Sequence, residues 1–316
     1  MTARLSSDAM RLAIPALSLT LLLAAVFWLQ PRAMSYVGLN LLFNLAVPIA
    51  LATIAQMLVM AVNDLDLSMG TFVSFVACVS ATFLRDDPVT GVLILAAAIA
   101  AYAGLGVIIY LRDLPSIVVT LGMSFVWGGL AVLLLPAPGG QAPDWVRSLM
   151  TVKPPLAPMA IVASIIIAAV AHLLVMRSSL GVLIRGIGGN QRSVERAGWS
   201  IVAARATAYG LAGFFAVLAG IALVGLTTSA DANIALRYTL LSIAGVILGG
   251  GEFIGGRVSP VGAVIGALTL TLAGSFLSFL RISPDWQIGA QGAILIIVLA
   301  LRLMLNRLEK REKRRR

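Results

Sequence analysis

Apolar residues along this chain gather into long, almost uncharged blocks separated by short polar breaks, with neither a helix-period nor a strand-period stripe. Ten such blocks lie near 12–29, 36–62, 67–84, 91–111, 116–135, 156–176, 206–227, 239–250, 258–280 and 286–305. A block of about 17–25 apolar residues matches one helical crossing of the hydrocarbon core of a bilayer. Only a helix satisfies its own backbone within such a segment. The pattern therefore predicts an all-α membrane protein of about ten transmembrane helices, the eighth block being short and glycine-rich. The polar gaps at 136–155 and 177–205 are too small to fold alone, so residues 1–316 read as a single polytopic membrane domain.

Composition strengthens this reading. The 316 residues are 60% hydrophobic and 11% charged, against about 45–50% and about 25% in soluble domains. The net charge of +10 is distributed unevenly. With the N-terminus inside and ten spans, inner segments hold 16 of the 23 basic residues, outer segments hold 6, and Arg302 lies within the last block. That is the positive-inside pattern, and it places both termini in the cytoplasm. The tail at 306–316, "NRLEKREKRRR", then serves as a cytoplasmic anchor on anionic lipid. Nucleic acid is not an expected partner, because no aromatic interleaving or reading module accompanies the charge. Arg4 and Arg11 before an apolar run resemble a signal peptide, but no A-x-A site follows and nine more blocks do, which predicts a retained first helix. One cysteine (Cys78) and one histidine (His172) exclude a disulfide framework, a Cys/His zinc site and a Cys–His catalytic pair within the chain.

One polar island interrupts the pattern, "LGVLIRGIGGNQRSVERAGWS" at 180–200. It lies in the longest basic loop, 177–205, which the charge count puts in the cytoplasm. Ser193 is the expected cap of a short helix over "VERAGW" and Gly198 its stop. Val194, Ala197 and Trp199 would give that helix an apolar side, suited either to a lipid surface or to a groove on a partner protein. A dinucleotide fingerprint in "RGIGGNQ" fails because Gln191 stands where the third glycine is needed and no strand precedes it. No G-x-x-x-x-G-K-[ST] occurs, so the chain carries no P-loop ATP site of its own.

Glycine pairs spaced by four, Gly245 with Gly249 and Gly262 with Gly266, together with Gly210 and Gly213, let helices approach closely, inside one bundle or at a moving or dimer surface. Ionisable residues at membrane depth are almost absent, which weakens an ion-driven carrier. Two breaks stand out. "VNDLDLSMGTFVSF" (62–75) sets Asp64, Asp66 and a candidate Ser68 cap between the second and third blocks, and "LGGGEFIGGRVSPVGAVIGA" (248–267) is a glycine-rich turn. Helices interrupted at corresponding places in two halves point to an inverted repeat. "DLPSIVVTLG" (113–122) and "ISPDWQIGAQG" (282–292) share a proline before the fifth and tenth blocks, on opposite sides of the membrane.

From about Asn40 to Leu301 the chain resembles the permease subunits of bacterial ABC importers, the ribose and xylose branch. "DLDLSMG" matches G-I-D-L-S-V-G through Asp66, Leu67, Ser68 and Gly70. Pro115, Thr120, Leu121 and Gly122 match P-x-x-x-x-T-L-G. "GIGGN" (186–190) is similar to A-I-G-G-N, "GGGEFIGGR" (249–257, with Gly249, Gly250, Gly255 and Gly256) to G-G-T-S-L-x-G-G-x-G, and "ISPDWQ" to V-S-P-x-W-Q. Asn63 and Asp64 stand where the family usually has glycines, and Gly251 and Glu252 replace small or hydroxyl residues.

The resemblance implies a subunit without chemistry of its own, embedded in the bacterial inner membrane. A second permease, as homo- or heterodimer, would complete the pathway, separate ATP-binding subunits would hold ATP and Mg, and a periplasmic binding protein would deliver the solute. The 177–205 loop would be the coupling loop, with Gly188, Gly189, Asn190, Glu195, Ala197 and Gly198 at the ATPase contact. Glu252 would pair with Arg257, touch the ATPase or simply be solvated. Transport would proceed by alternating access, driven by differential binding of ATP to the closed state. Candidates for a monosaccharide or polyol pathway are Asn40, Asn44, Gln56, Ser124 and Trp127, each of which could equally serve interhelical packing. The alternatives are an ion-coupled secondary transporter or channel, distinguished by uptake without ATP, and an intramembrane enzyme, disfavoured because neither H-E-x-x-H nor G-x-S-x-G occurs.

Overall fold

A computed structural model describes residues 2–280 together with 286, 289, 292, 293 and 296. The expected tenth span, the "ISPDWQ" motif apart from Trp286, and the basic tail fall outside the described residues. The described chain is helical, with one isolated antiparallel bridge between Gly139 and Ala230.

The elements are α1 (Thr2–Leu29), a 3-10 turn (Pro31–Met34), α2 (Tyr36–Leu42), α3 (Ala46–Met60), α4 (Met69–Ala81), α5 (Phe83–Asp86), α6 (Pro88–Leu111) and α7 (Ser116–Leu134). They continue with α8 (Asp144–Thr151), α9 (Met159–His172) running into a π turn (Leu173–Arg177), α10 (Ser179–Arg196), α11 (Ile201–Thr227), α12 (Tyr238–Leu248) and α13 (Pro260–Phe279). Several starts are set by side-chain oxygens that accept an orphan N–H two or three residues on: Ser35 from Gly38, Asp87 from Thr90, Ser178 from Gly181, Ser200 from Ala203 and Ser259 from Gly262. Pro88 and Pro260 add a pre-set φ in the first turn. The hydroxyl and amide of Thr90 hold the Asp87 carboxyl below the usual carboxylate range.

Among the described residues, five helices are each long and apolar enough to cross a membrane, and six if the α2–α3 pair, bent by 40°, counts as one span. Exposed side chains on α6, α7 and α9 include Leu93, Phe125, Leu133 and Ile165, as lipid contact requires. The interior is built on α3, every residue of which is buried, with α4, α11, α12 and α13 around it.

The third and eighth blocks differ from the expectation of full crossings. Helix α4 has 13 residues and α12 has 11. At about 1.5 Å per residue neither spans a core of about 30 Å. Each is a half-length, largely buried helix reached through a non-helical stretch, 61–68 before α4 and 228–237 before α12. Their starts meet: the Gly70 N–H donates to Thr239 Oγ1 at 2.9 Å, and the Ala235 N–H, in the stretch before α12, to Ser74 Oγ of α4 at 3.0 Å.

The glycine pairs resolve as packing within the bundle. A Cβ on Gly249 would overlap the Gly262 carbonyl, and one on Gly266 the Gly245 carbonyl, so α12 and α13 touch backbone to backbone. On the other side of the core Gly106 and Gly213 admit α11 and α6 to each other, with Tyr209 and Tyr102 filling the gaps.

Candidate functional site

The unwound stretch between α3 and α4 is polar and bonded to several neighbouring helices. Asn63 takes a left-handed backbone (φ 64°) that stops α3. Asp66 then turns its own side chain onto the chain ahead: Oδ1 accepts from the Ser68 N–H and from Ser68 Oγ, both at 2.7 Å. Ser68 was expected as the cap of α4, but its hydroxyl is spent on Asp66 and makes no capping bond. Local bonds of this kind offer the backbone an alternative to helix.

Buried polar groups need partners, and four neighbouring helices supply them here, three to the backbone and α6 to the Asp66 carboxylate. The Leu65 N–H donates to Ser116 Oγ at 3.2 Å, while Thr120 Oγ1 accepts from the Leu67 N–H at 3.0 Å and donates to the Leu65 carbonyl at 3.2 Å. With its amide set to satisfy both groups, Gln56 of α3 donates to the Asp66 carbonyl at 3.1 Å and accepts from the Asp66 N–H at 3.2 Å. Tyr102 of α6 donates its hydroxyl to Asp66 Oδ2. Thr239 of α12 closes the set at Gly70.

The Asp66 carboxylate is fully buried, deeper than the boundary position expected for it. The reason is geometric. An extended chain advances about 3.3 Å per residue, so a few unwound residues carry it into the bundle to Tyr102, in the body of α6. Tyr102, Phe72 and Trp127 form an aromatic cluster beside it, with Phe72 centred 4.4 Å from Tyr102 and 4.9 Å from Trp127.

At the other end of the segment, Asp64 Oδ2 pairs with Arg205 Nη1 of α11 at 2.6 Å and accepts from the Tyr209 hydroxyl at 3.0 Å. The side chains of this ion pair are only 10% and 12% exposed, and the guanidinium lies over the Tyr110 ring, 5.6 Å from its centre. Asp64, Arg205 and Tyr110 wall a cleft of about 650 Å³ together with Asn63, Asp113 and Gln191.

Helix α10 lies against this end. It is two helices in one, because Asn190 (φ −160°, ψ 93°) breaks it. The break corrects the expected cap: Asn190 Oδ1, not Ser193, accepts the Ser193 N–H at 3.1 Å and starts the short helix that follows. Asn lacks nothing as a cap, and a position three residues before Ser193 leaves room for one full turn before the stop. The stop is the expected one. Gly198 is left-handed (φ 83°), its N–H reaches the Glu195 carbonyl at 2.9 Å and the Trp199 N–H reaches Val194 at 3.3 Å, a Schellman motif. Asn190, Glu195, Ala197 and Gly198 are all exposed, and Trp199 is 56% exposed. Gly188 is buried, where a Cβ would overlap the Ala61 carbonyl; Gly189 is exposed, with Gly255 O 3.8 Å from where a Cβ would stand. Glu252 pairs with Arg257 at 3.6 Å, with both side chains substantially exposed.

The residues expected along a pathway separate. Asn40 and Asn44 line a second cleft of about 240 Å³ with Arg147 and Lys153. Gln56 is fully buried and committed to the Asp66 backbone. Trp127 is buried, and its Nε1 meets no partner among the described residues. Ser124 is half-buried, with its hydroxyl on the Leu121 carbonyl of its own helix at 2.6 Å. Of the motif residues, Asp66, Ser68, Gly70 and Thr120 converge on the unwound segment and Pro115 stands beside Ser116 at the start of α7, while Gly122 faces outward from α7. Gly249 packs on α13, and Gly250, Gly255 and Gly256 turn the chain with left-handed φ of 94°, 97° and 63°. Sequence reasoning missed Tyr102, Thr239, Arg205 and Tyr209. For Tyr102 the signal is a polar-tipped ring inside an uncharged block, and for Arg205 it is an arginine four residues before Tyr209 on one helix face.

Comparison with known proteins places the chain in a family. The chain is 27% identical to the ribose import permease protein RbsC of Escherichia coli (strain K12), over 89% of this chain and 90% of that protein. It is 27% identical to the galactose/methyl galactoside import permease protein MglC of the same strain, over 90% and 91%. With the autoinducer 2 import system permease protein LsrC of E. coli (strain K12 / DH10B) it shares 28% identity over 94% and 89%. No solved structure is matched. The family model for the permease component of branched-chain amino acid transport systems matches residues 38–299, and this multi-pass membrane chain belongs to that family.

Proposed function

We propose that the chain is the permease subunit of an ATP-driven importer, forming with a second permease the pathway for a monosaccharide or related polyol. The observation that carries this reading is the segment 63–70, the unwound stretch after Asn63 together with the start of α4. It touches α10 at one end and the meeting point of the two half-length helices at the other. A segment so placed turns motion at the cytoplasmic face into motion inside the membrane. The similarity to import permeases for ribose and for galactose supports the solute class.

In this reading the chain sits in the bacterial inner membrane with both termini inside, in line with the charge bias of its loops. The exposed short helix after Asn190 docks on a separate ATPase subunit, which holds ATP and Mg, and a periplasmic binding protein delivers the solute. ATP closes the ATPase pair, α10 moves, and the pathway opens outward; hydrolysis returns it. Free energy enters through the tighter binding of ATP to one state.

One observation favours an ion-coupled carrier instead: Asp66, a buried carboxylate whose described partners are hydroxyls and an amide rather than a cation. Intramembrane acids often mark ion paths. Gentle solubilisation and mass spectrometry of co-purified proteins separate the two readings. A P-loop ATPase in near-equal amount, and ATP-dependent uptake of ribose or galactose by the reconstituted complex, support the importer. Recovery of the chain alone, with uptake that follows an ion gradient and ignores ATP, overturns it.

A further inference from the structure

Asn63 ends α3 in a left-handed conformation and uses both ends of its side-chain amide. Its Nδ2 donates to the Gly188 carbonyl of α10 at 2.8 Å, and its Oδ1 accepts from the Gly255 N–H at 2.9 Å. The two segments it joins already touch through backbone. A Cβ on Gly188 would stand 2.6 Å from Gly256 Cα, and one on Gly256 would overlap the Arg185 carbonyl. Three parts of the chain, the end of α3, the middle of α10 and the glycine turn at 255–256, therefore meet at one amide. The Asn side chain sets a neutral donor and a neutral acceptor on separate atoms of one planar amide, and Asn tolerates the left-handed backbone better than a longer chain.

Beyond Asn63 each residue is gripped in turn: Asp64 by α11, Leu65 by α7, Asp66 by α3 and α6, and Gly70 by α12. A displacement of Gly188 thus pulls on the first member of a hydrogen-bonded row that ends between the half-length helices. We infer that Asn63 is a positioning residue that locks α10 and the 255–256 turn to the unwound segment, so that movement of α10 moves the half-length helices with it. The inference rests on the importer reading for what moves α10; the lock itself does not. Coupling through a structure requires a contiguous element that both sites bias, and this amide is where the two are joined.

The test uses Asn63→Gly, which keeps a left-handed backbone at no steric cost and removes only the amide. Asn63→Asp keeps the acceptor for Gly255 and loses the donor to Gly188. In the purified full chain, hydrogen exchange at the Gly255 amide is expected to rise about tenfold in Asn63→Gly, the worth of one hydrogen bond, and to stay near wild type in Asn63→Asp. Unchanged exchange in Asn63→Gly overturns the lock. In the reconstituted complex with its ATPase and binding protein, Asn63→Gly is expected to raise the ATP hydrolysed per solute moved by about fivefold or more. An unchanged ratio, including an equal fall in both rates, overturns the coupling role. If the wild-type complex shows no ATP-driven uptake, the importer reading and the coupling role fail together, and exchange at Gly255 still decides the lock.

Discussion

Gly70 and Thr239, 169 positions apart, hold the first turns of the two half-length helices together: the glycine N–H donates to the threonine Oγ1 at 2.9 Å, where a side chain on the glycine would not fit. A Cβ at position 70 would stand 2.6 Å from the Ala235 carbonyl, 2.7 Å from the Leu236 carbonyl and 2.7 Å from Thr239 Oγ1. The contact thus needs both the missing side chain and the hydroxyl.

Gly70→Ala is expected to cost about 1–3 kcal/mol through overpacking, and Thr239→Val a similar amount of about 1–3 kcal/mol by leaving a buried N–H unpaired. Thr239→Ser keeps the hydroxyl and should melt near wild type. Thermal unfolding in detergent, followed by the loss of the monodisperse peak, measures all three. Equal melting of the Val and Ser variants would show that the bond contributes nothing.

The Asp64–Arg205 pair carries a second prediction. With side chains 10% and 12% exposed, neither ion is well hydrated. Asp64→Asn leaves the guanidinium without its counter-ion and should destabilise by roughly 3–5 kcal/mol. The double change Asp64→Asn with Arg205→Met removes both charges and is expected to recover much of that loss. Arg205→Lys should not restore the wild-type melt even with Asp64 intact, because a lysine cannot reproduce the flat guanidinium over Tyr110. The three melting temperatures, each set against the wild type, check this.

Gln56 supplies a third, with a pH dependence. Gln56→Leu keeps the shape but leaves the Asp66 N–H and carbonyl unpaired, at about 1–3 kcal/mol for each group. Gln56→Glu keeps the acceptor for the N–H; as a carboxylate it has no donor for the carbonyl, and as a carboxylic acid it has one. Its loss of stability should therefore be largest at high pH and shrink as pH falls through the titration of the new carboxyl. The Leu variant should show no such recovery beyond what the wild-type protein shows. Melting across pH 5 to 8 distinguishes the two.

Block length and loop charge made the membrane class and most helices legible, because hydrophobic thickness constrains composition directly. The half-length α4 was not, since "LSMGTFVSFVACVSATFL" is as apolar as a full crossing and the grip of Ser116, Thr120 and Gln56, with the bonds of Ser68 to Asp66, keeps the residues before it unwound; the shortness of the eighth block, 239–250, did show in α12. Asp66 was legible as a motif residue but not as a buried one, for its depth depends on how far an extended segment climbs. The cap at Asn190 was missed for a similar reason. "GGNQRS" offers two capping residues within four positions, and local sequence does not say which of them breaks the helix. The stop at Gly198 was readable because a left-handed glycine after a last turn has few rivals.

The short helix after Asn190 gives the last prediction, and it rests on a contrast between neighbouring glycines. Gly188 is locked against Ala61 and Gly256, so Gly188→Ala should damage folding: poor insertion, low yield and early melting. Gly189 is exposed with ordinary space beside it, and Gly189→Ala should be neutral in melting and in uptake. Gly189→Asp and Ala197→Arg place charge and bulk on the exposed face without touching the core. Each is expected to insert and melt like wild type yet to lose most uptake, because a docking surface fails when a charge is desolvated against a partner. Measuring uptake beside the yield of monodisperse protein separates a folding defect from a docking defect. If Gly189→Asp and Ala197→Arg both transport at the wild-type rate, this face does not touch the ATPase, and the contact must be sought on the turn at 251–257 instead.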